Sequence, residues 1–447
     1  MSTSREAAEA RCVTSGSDFP FASAAGYAGR LVLSGPAAGV VAARAMGSAK
    51  GQASVISFDM GGTSTDVCRI DGQAGGGGGH GSAGWVNRVP SLPVRTIGAG
   101  GGSLAWVDEG GALRVGPRSA GAHPGPAAYG LGGSQATVTD ANVVLGRINA
   151  DRPIGGKLAR LDVEAAARAI ETHIARPLGL DALAAAEAIV TVANSRMAGA
   201  IRLVSIERGF DPKHFAYMPF GGGGALHACA LIREVGLGRA IVPCYPGVTS
   251  AMGCVIADMR QDFVQTINQA TQAVDEAALG RLMQSHMEEG MRVLRSAGVA
   301  FAGEEVSFEL DMAYLGQTHT VAVPLPVEVS AQRVAPPSRA EIAAAFDAAY
   351  LRVYGRLLPG GVTRVLNLRS TLIGKRPKFD LTTLAPGADA SREAARRPGR
   401  ARAPDAAPQR PGVGRSGQHP AERPCPPRPQ CPPRGPCLLE RPGHHRR

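Results

Sequence analysis

Aromatic residues, long apolar runs and zinc-type cysteine pairs are all scarce or missing in this 447-residue chain. Aromatics make up only 4%, whereas Gly supplies 59 residues, about twice the usual share, which points to many backbone-lined loops. No run of about 18 uninterrupted apolar residues occurs, so no membrane span is expected. The N-terminus MSTSREAAEARC is charged and lacks a long apolar stretch, which excludes a secretory signal and leaves a cytoplasmic location as the expectation. Of the eight cysteines, at 12, 68, 229, 244, 254, 425, 431 and 437, the first five form no CxxC pair, and they read as free thiols in a reducing compartment.

A basic binding face is missing too, despite a formal charge of +11. From Asp389 onward there are 13 Arg against 5 acidic residues, so most of the excess lies in the tail and the body is nearly neutral. That tail also carries 13 Pro and almost no apolar periodicity, so burial cannot offset its ordering entropy and residues 378–447 are expected to be disordered. It lacks the interleaved aromatics that stack on bases, and nucleic acid is not expected as a partner. The abrupt shift to Arg, Pro, Ala and Gly also resembles a high-GC gene read in a shifted frame.

What is present is VISFDMGGTSTDVCRID, residues 55–71. An apolar run climbs to Asp59, breaks at Gly61 and Gly62, and resumes as a short strand after Thr65. Two glycines let backbone N–H groups approach an anion, and Asp59, Thr63, Thr65 and Asp66 supply the carboxylates and hydroxyls that a Mg²⁺–nucleotide needs. The same pattern also suits a plain hairpin with incidental polar residues.

Other stretches carry glycines at turns. Ser34-Gly35-Pro36 leads into a small-residue helix from about Ala37 to Met46. The GAGGGS loop before Leu104 is followed by strand residues, which excludes a dinucleotide fingerprint but leaves its N–H groups able to meet a substrate or phosphate. In the Gly- and Pro-rich segment 117–133, His123 is the one ionisable side chain of catalytic range. Asp140 reads as lying near the N-cap of a helix. Amphipathic helices follow from about Val163 to Ala175, stopped by Pro177, and from about Ala182 to Ser205. A strand ending at Phe220 then meets Gly221, Gly222, Gly223 and Gly224 and a helix near Ala225, an order that suits an anion or nucleotide. There is no GK[ST] for a P-loop. A strand–turn–helix order recurs over 240–259, a helix is expected over 275–299, strands over 308–326 and a helix over 339–354.

At SGPAAGVVAA, DMGGTSTDV, GAGGGS, TDANVVLGR, FGGGGALHA and PGVTSAMG the chain resembles the hydantoinase A and 5-oxoprolinase family, with these motifs in family order over residues 31 to about 375. The resemblance implies an α/β fold of the actin, Hsp70 and sugar-kinase type (ribonuclease H-like), in which two lobes close on ATP. It implies ATP-dependent opening of a cyclic amide, with related members serving as ATP-using subunits of ketone carboxylases, and a hydantoinase B-type subunit or domain as partner. DMGGTSTDV is similar to that fold's second phosphate motif: Asp59 and Asp66 become the catalytic carboxylates, Asp59 also in the Mg²⁺ shell. Gly61, Gly62, Thr63, Ser64 and Thr65 become phosphate contacts. Gly221 to Gly224 become the nucleoside contact, and His123, Asp140 and Asn142 the candidate substrate-side residues.

The resemblance divides the chain into an N-terminal segment 1–29, a nucleotide-binding domain 30–262, a partial C-terminal family domain 263–377 and the tail. No GGTFTD-type first phosphate motif precedes Asp59, so the N-terminal lobe is expected to be missing, and a single lobe should hydrolyse ATP poorly. A catalytically inactive truncated or frameshifted product is therefore a further reading.

Overall fold

The computed structural model describes residues 11–14, 17–20, 34–71, 80–82, 85–87, 92–153, 158–330, 333–377 and 437–440. The segment VISFDM forms β1 (Ser54–Met60), which turns back into β2 (Thr65–Asp71). The two are antiparallel with Asp59 opposite Asp66, and β3 (Arg95–Ile97) adds to the outer side of β2. Alternation sorts the side chains of β1. Ile56, Phe58 and Met60 enter the large core on one face, and Val55 packs with Ala37, Val40 and Ala43 on the other. The loop 98–102 and the hairpin of β4 (Ser103–Val107) and β5 (Leu113–Ser119) follow as expected.

Two later strands complete the site-bearing sheet. β6 (Ala216–Phe220) runs parallel to β1, with Ala216 beside Val55 and Phe220 beside Asp59, and β7 (Arg239–Val242) runs parallel to β6. The carboxyl ends of β1 and β6 therefore lie side by side, where open α/β sheets place their ligands. Cys437–Glu440 lies antiparallel to β7 at the sheet edge, so four residues of a tail expected to be structureless form a strand. The rest of that tail lies outside the described residues, as do residues 72–79 of the glycine-rich tip.

The helices follow the apolar patterns, with shifted ends. α1 spans Ser34–Ala49, so Ser34-Gly35-Pro36 is its first turn. α2 (Val138–Val144) opens on a capping box in which Thr137 is the N-cap and Asp140 the third helical residue. α3 (Val163–Ile170) continues through a wider turn to Leu178, carrying Pro177 inside its last turn; Gly179, at φ 65°, ends it. α4 (Ala182–Val204) is the long core helix, with Ala186, Ile189, Val190, Ala193, Met197 and Ile201 buried against the sheet. By length and composition residues 182–208 are apolar enough to cross a membrane, although they hold no uninterrupted apolar run of that length, and 56% of their most apolar window is packed inside the protein, as in a core helix. α5 (Ala228–Val235) begins later than expected because Gly221–Gly224 and Ala225–His227 each form a separate helical turn first.

α6 (Thr249–Ile256) crosses α1 at very short range. A Cβ on Gly253 would stand 1.8 Å from the Ala38 carbonyl oxygen, and one on Gly39 would stand 2.9 Å from the Ser250 hydroxyl. Small residues are thus a steric requirement at this crossing.

A second, antiparallel sheet comprises β8 (Met259–Ala270), β9 (Gly303–Tyr314), β10 (Val321–Pro324) and β11 (Thr363–Lys375) in the order β8-β11-β9-β10. A short hairpin, Arg11–Thr14 with Ser17–Pro20, joins its edge beside β8. α7 (Glu276–Ser296) and α8 (Arg339–Tyr354) contribute to its cores, α8 opening on the capping box Ser338–Glu341. Gly253→Ala should destabilise the protein by roughly 1–3 kcal/mol, because backbone meets backbone at the crossing and no rotamer can relieve the overlap. A lowered urea midpoint with unchanged slope is the expected measurement, and an unchanged midpoint would mean that the helices can part freely.

Candidate nucleotide site

Three glycine-bearing segments meet at the carboxyl ends of β1 and β6. In the β1–β2 turn the Gly61 N–H donates to the Ser64 carbonyl at 3.0 Å, leaving Gly61, Gly62 and Thr63 exposed at the tip. The GAGGGS loop lies on this tip. The Gly101 and Gly102 N–H groups donate to the Gly61 and Gly62 carbonyls at 3.0 and 2.6 Å, and a Cβ on Gly100 would stand 2.7 Å from Thr63 backbone atoms. The N–H groups that the sequence offered to a ligand from Gly101 and Gly102 are therefore used to brace the β1–β2 turn. Among the described residues the N–H groups of Gly62 and Thr63 donate to no acceptor.

The third segment is Gly221–Gly224. Gly221 adopts φ +77°, and a Cβ there would stand 2.4 Å from Asp59 Oδ1 and 2.5 Å from the Met60 carbonyl oxygen, so neither its backbone nor its surroundings admit a side chain. Gly223 lies against Met60, whereas Gly222 is open and exposed.

Asp59 and Asp66 face each other across the hairpin. Ser250 of α6 donates to Asp59 Oδ2 at 2.9 Å, and Thr96 of β3 donates to Asp66 Oδ1 at 2.5 Å. Burial pushes the Asp59 carboxyl above its ordinary value of 3.8, against the Ser250 hydrogen bond. Burial likewise raises Asp66, with the Thr96 bond opposing it and the neighbouring Asp59 charge adding to it. Desolvated carboxylates with a further oxygen each are a hard donor set that a divalent cation would relieve, and a phosphate-bound Mg²⁺ needs only one or two protein carboxylates. No group of three or more His, Cys, Asp or Glu residues suited to a metal exists among the described residues.

The other sequence candidates separate. Thr65 is fully buried and donates its hydroxyl to the Ala99 carbonyl, so it fastens the brace and is not open to a ligand. Asp140 is fully buried and accepts from the N–H groups of Ala127, Ala128 and Thr137 and from the Thr137 hydroxyl, at 3.3, 2.8, 3.0 and 2.7 Å. Its carboxylate is thus occupied in tying a loop to α2, and it is not free for a substrate. His123 is exposed and, unlike its neighbour Ala122, does not line the cavity beside the turns.

Asn142 does line that cavity. About 390 Å³ in volume, it is bounded by Gly61, Gly62, Gly222 and Gly223 and walled by Tyr129, Leu131, Ile148, Leu158 and Leu161, with Thr139, Asn142 and His227 as polar members. The only sequence signal for His227 is its place three residues after Gly224 in FGGGGALHA; its burial appears only in the fold. Ser250, inside the PGVTSAMG motif, carries no such signal; only the fold brings it to Asp59.

A family model described as hydantoinase/oxoprolinase matches residues 5–263. The chain belongs to this family. The match begins at residue 5, so it takes in most of the N-terminal segment 1–29. The caprolactamase subunit alpha of Pseudomonas jessenii is 36% identical over 363 residues, covering 79% of this chain and 51% of that one. 5-Oxoprolinase 1 of Arabidopsis thaliana is 38% identical over 251 residues, covering 52% and 20%. A nucleotide-free structure of acetone carboxylase, described as ATP-dependent, superposes with a TM-score of 0.66 at 26% identity, covering 83% of this chain and 54% of that one. The family thus includes ATP-dependent cyclic amide hydrolases and subunits of carboxylases, and this chain spans about half or less of the length of the curated relatives it matches.

Because both carboxyls are raised by burial, the folded state holds their protons more tightly than the unfolded chain. The stability they contribute is complete below about pH 4 and is lost as pH rises through their folded values. Asp59→Asn, which keeps an acceptor for Ser250, should raise the thermal midpoint at pH 7, with the gain shrinking towards pH 4. A lower midpoint at pH 7 would show that the ionised carboxylate is stabilising.

Proposed function

We propose that this chain is the ATP-handling part of a hydrolase of hydantoinase/5-oxoprolinase type, which opens a cyclic amide by phosphorylating the amide oxygen. The observation that carries the reading is the convergence of the Asp59–Asp66 pair, the exposed turn Gly61–Ser64 and the Gly221–Gly224 turn at the ends of two adjacent parallel strands, in a chain of this family. The site corresponds to one lobe of an actin-like ATPase. The opposite phosphate wall comes from polypeptide beyond these 447 residues or from a partner, a view that fits coverage of only 51% of the caprolactamase subunit.

The chemistry asks little covalent participation of the protein. The amide oxygen attacks the terminal phosphorus of ATP and ADP leaves. Water then adds to the activated carbon, the ring C–N bond breaks with a proton passing to nitrogen, and inorganic phosphate departs, leaving an open-chain amino acid. In this reading the N–H groups of Gly62 and Thr63 and the hydroxyls of Thr63 and Ser64 hold phosphate oxygens. Asp59 and Asp66 hold the Mg²⁺ that accompanies ATP, Ser250 and Thr96 orienting them. When bound, Mg²⁺ neutralises charge on the transferring phosphate. A hydantoinase B-type subunit completes the enzyme, in the cytoplasm.

A second reading, an ATP-using subunit of a ketone carboxylase, is favoured by the likeness to the acetone carboxylase structure. Bicarbonate-dependent ketone consumption distinguishes it. With the partner subunit present, Asp59→Asn should lower lactam-stimulated ATP hydrolysis by about 10²-fold or more, since it removes a charge that meets the phosphate only through its cation. Unchanged hydrolysis would remove Asp59 from the machinery. Absence of any heat with millimolar Mg·ATP would favour a catalytically inactive product.

A further inference from the structure

Two side chains that line the cavity beside the glycine turns, Asn142 and His227, each carry a buried acceptor with no partner among the described residues. His227 is 1% exposed, its Nδ1 lies 2.7 Å from Asn194 Oδ1, and its Nε2 is buried without a partner among the described residues. Because an amide oxygen only accepts, Nδ1 carries the proton and Nε2 presents a lone pair. Burial, with the Arg147 charge, holds this imidazole down at about 4, so it is neutral at physiological pH. Asn142 is 2% exposed. Its Nδ2 donates to the Val138 carbonyl at 2.9 Å, which fixes the amide and leaves Oδ1 buried and, among the described residues, unpaired. Buried polar atoms seldom remain unsatisfied, and two in the wall of one largely apolar cavity point to a ligand that supplies N–H donors.

The place of the cavity says which part of a ligand this is. Along β1 Met60 lines the cavity, whereas Asp59 turns to the opposite face of the strand, towards Ser250 and α1. The acceptor pair is therefore set apart from the carboxylates by the glycine turns, and it meets a non-reacting end of the ligand. Tyr129, Leu158 and Leu161 offer apolar walls to a flat ring.

We propose that Asn142 Oδ1 and His227 Nε2 select the nucleobase, accepting from the exocyclic amine of adenine and rejecting 6-oxopurines, whose carbonyl would confront both lone pairs. The proposal rests on the reading of this chain as an ATP binder. The same acceptors would also suit a lactam N–H, but a lactam must reach the phosphate at the carboxylate face.

Calorimetric titration of the full chain with the Mg²⁺ complexes of ATP, ITP and purine riboside triphosphate tests it. ATP should bind about 10-fold tighter than the purine analogue, which lacks the amine, and about 100-fold tighter than ITP, which opposes acceptor to acceptor. Asn142→Leu and His227→Phe should bring the ATP-to-ITP ratio towards one, whereas a merely structural loss would weaken both nucleotides alike. Equal binding of ATP and ITP by the wild-type chain overturns base selection and leaves the ATP reading intact. If no nucleotide binds at millimolar concentration, it is the ATP reading itself that fails.

Discussion

The close approach of glycine backbones is the constraint on which the site depends. Gly221 stands where a Cβ would enter the van der Waals shell of the Asp59 carboxylate, and Gly100 stands where one would meet Thr63. Each contact joins segments far apart in the chain, so the β1–β2 turn is held from both sides by backbone, with few side chains involved. Backbone braces of this kind lose less entropy on ligand binding than mobile side chains do, and they leave the turn tip exposed and preorganised.

That bracing divides the site into two environments. On the α1 face of β1, two half-buried carboxylates stand opposite each other, with raised affinity for protons and unspent lone pairs. On the other face, Met60 opens into an apolar cavity with neutral acceptors. A polyphosphate with a flat base at one end needs both environments, charge and cation at one end and shape with a few hydrogen bonds at the other. Strand alternation separates them by a single residue step, from Asp59 to Met60.

Much of the fold was legible in the sequence. The alternation of VISFDM, the stripe from Ala186 to Ile201 and the Ser338–Glu341 capping pattern each report a local period or cap, which the chain retains wherever it folds. The misreadings concern features that local pattern does not encode. Ser34-Gly35-Pro36 read as a turn because Gly and Pro break helices in their interior, yet Pro is favoured in a first turn. Thr65 and Asp140 read as ligand-side groups because their residue types are right, and only the neighbouring Ala99, Ala127 and Ala128 backbones reveal that their hydrogen bonds are spent.

The sequence by itself determined the family, the hairpin that carries Asp59 and Asp66, and the glycine run at 221–224, because these are short contiguous patterns whose chemistry travels with the residues. Tertiary structure alone decided that the glycines of 100–102 serve the turn instead of a ligand, that Ser250 orients Asp59 across 191 positions of chain, and that Asn142 and His227 share one cavity. Burial and contact between distant segments set which polar atoms are left unpaired, and neither is written in any local run of residues.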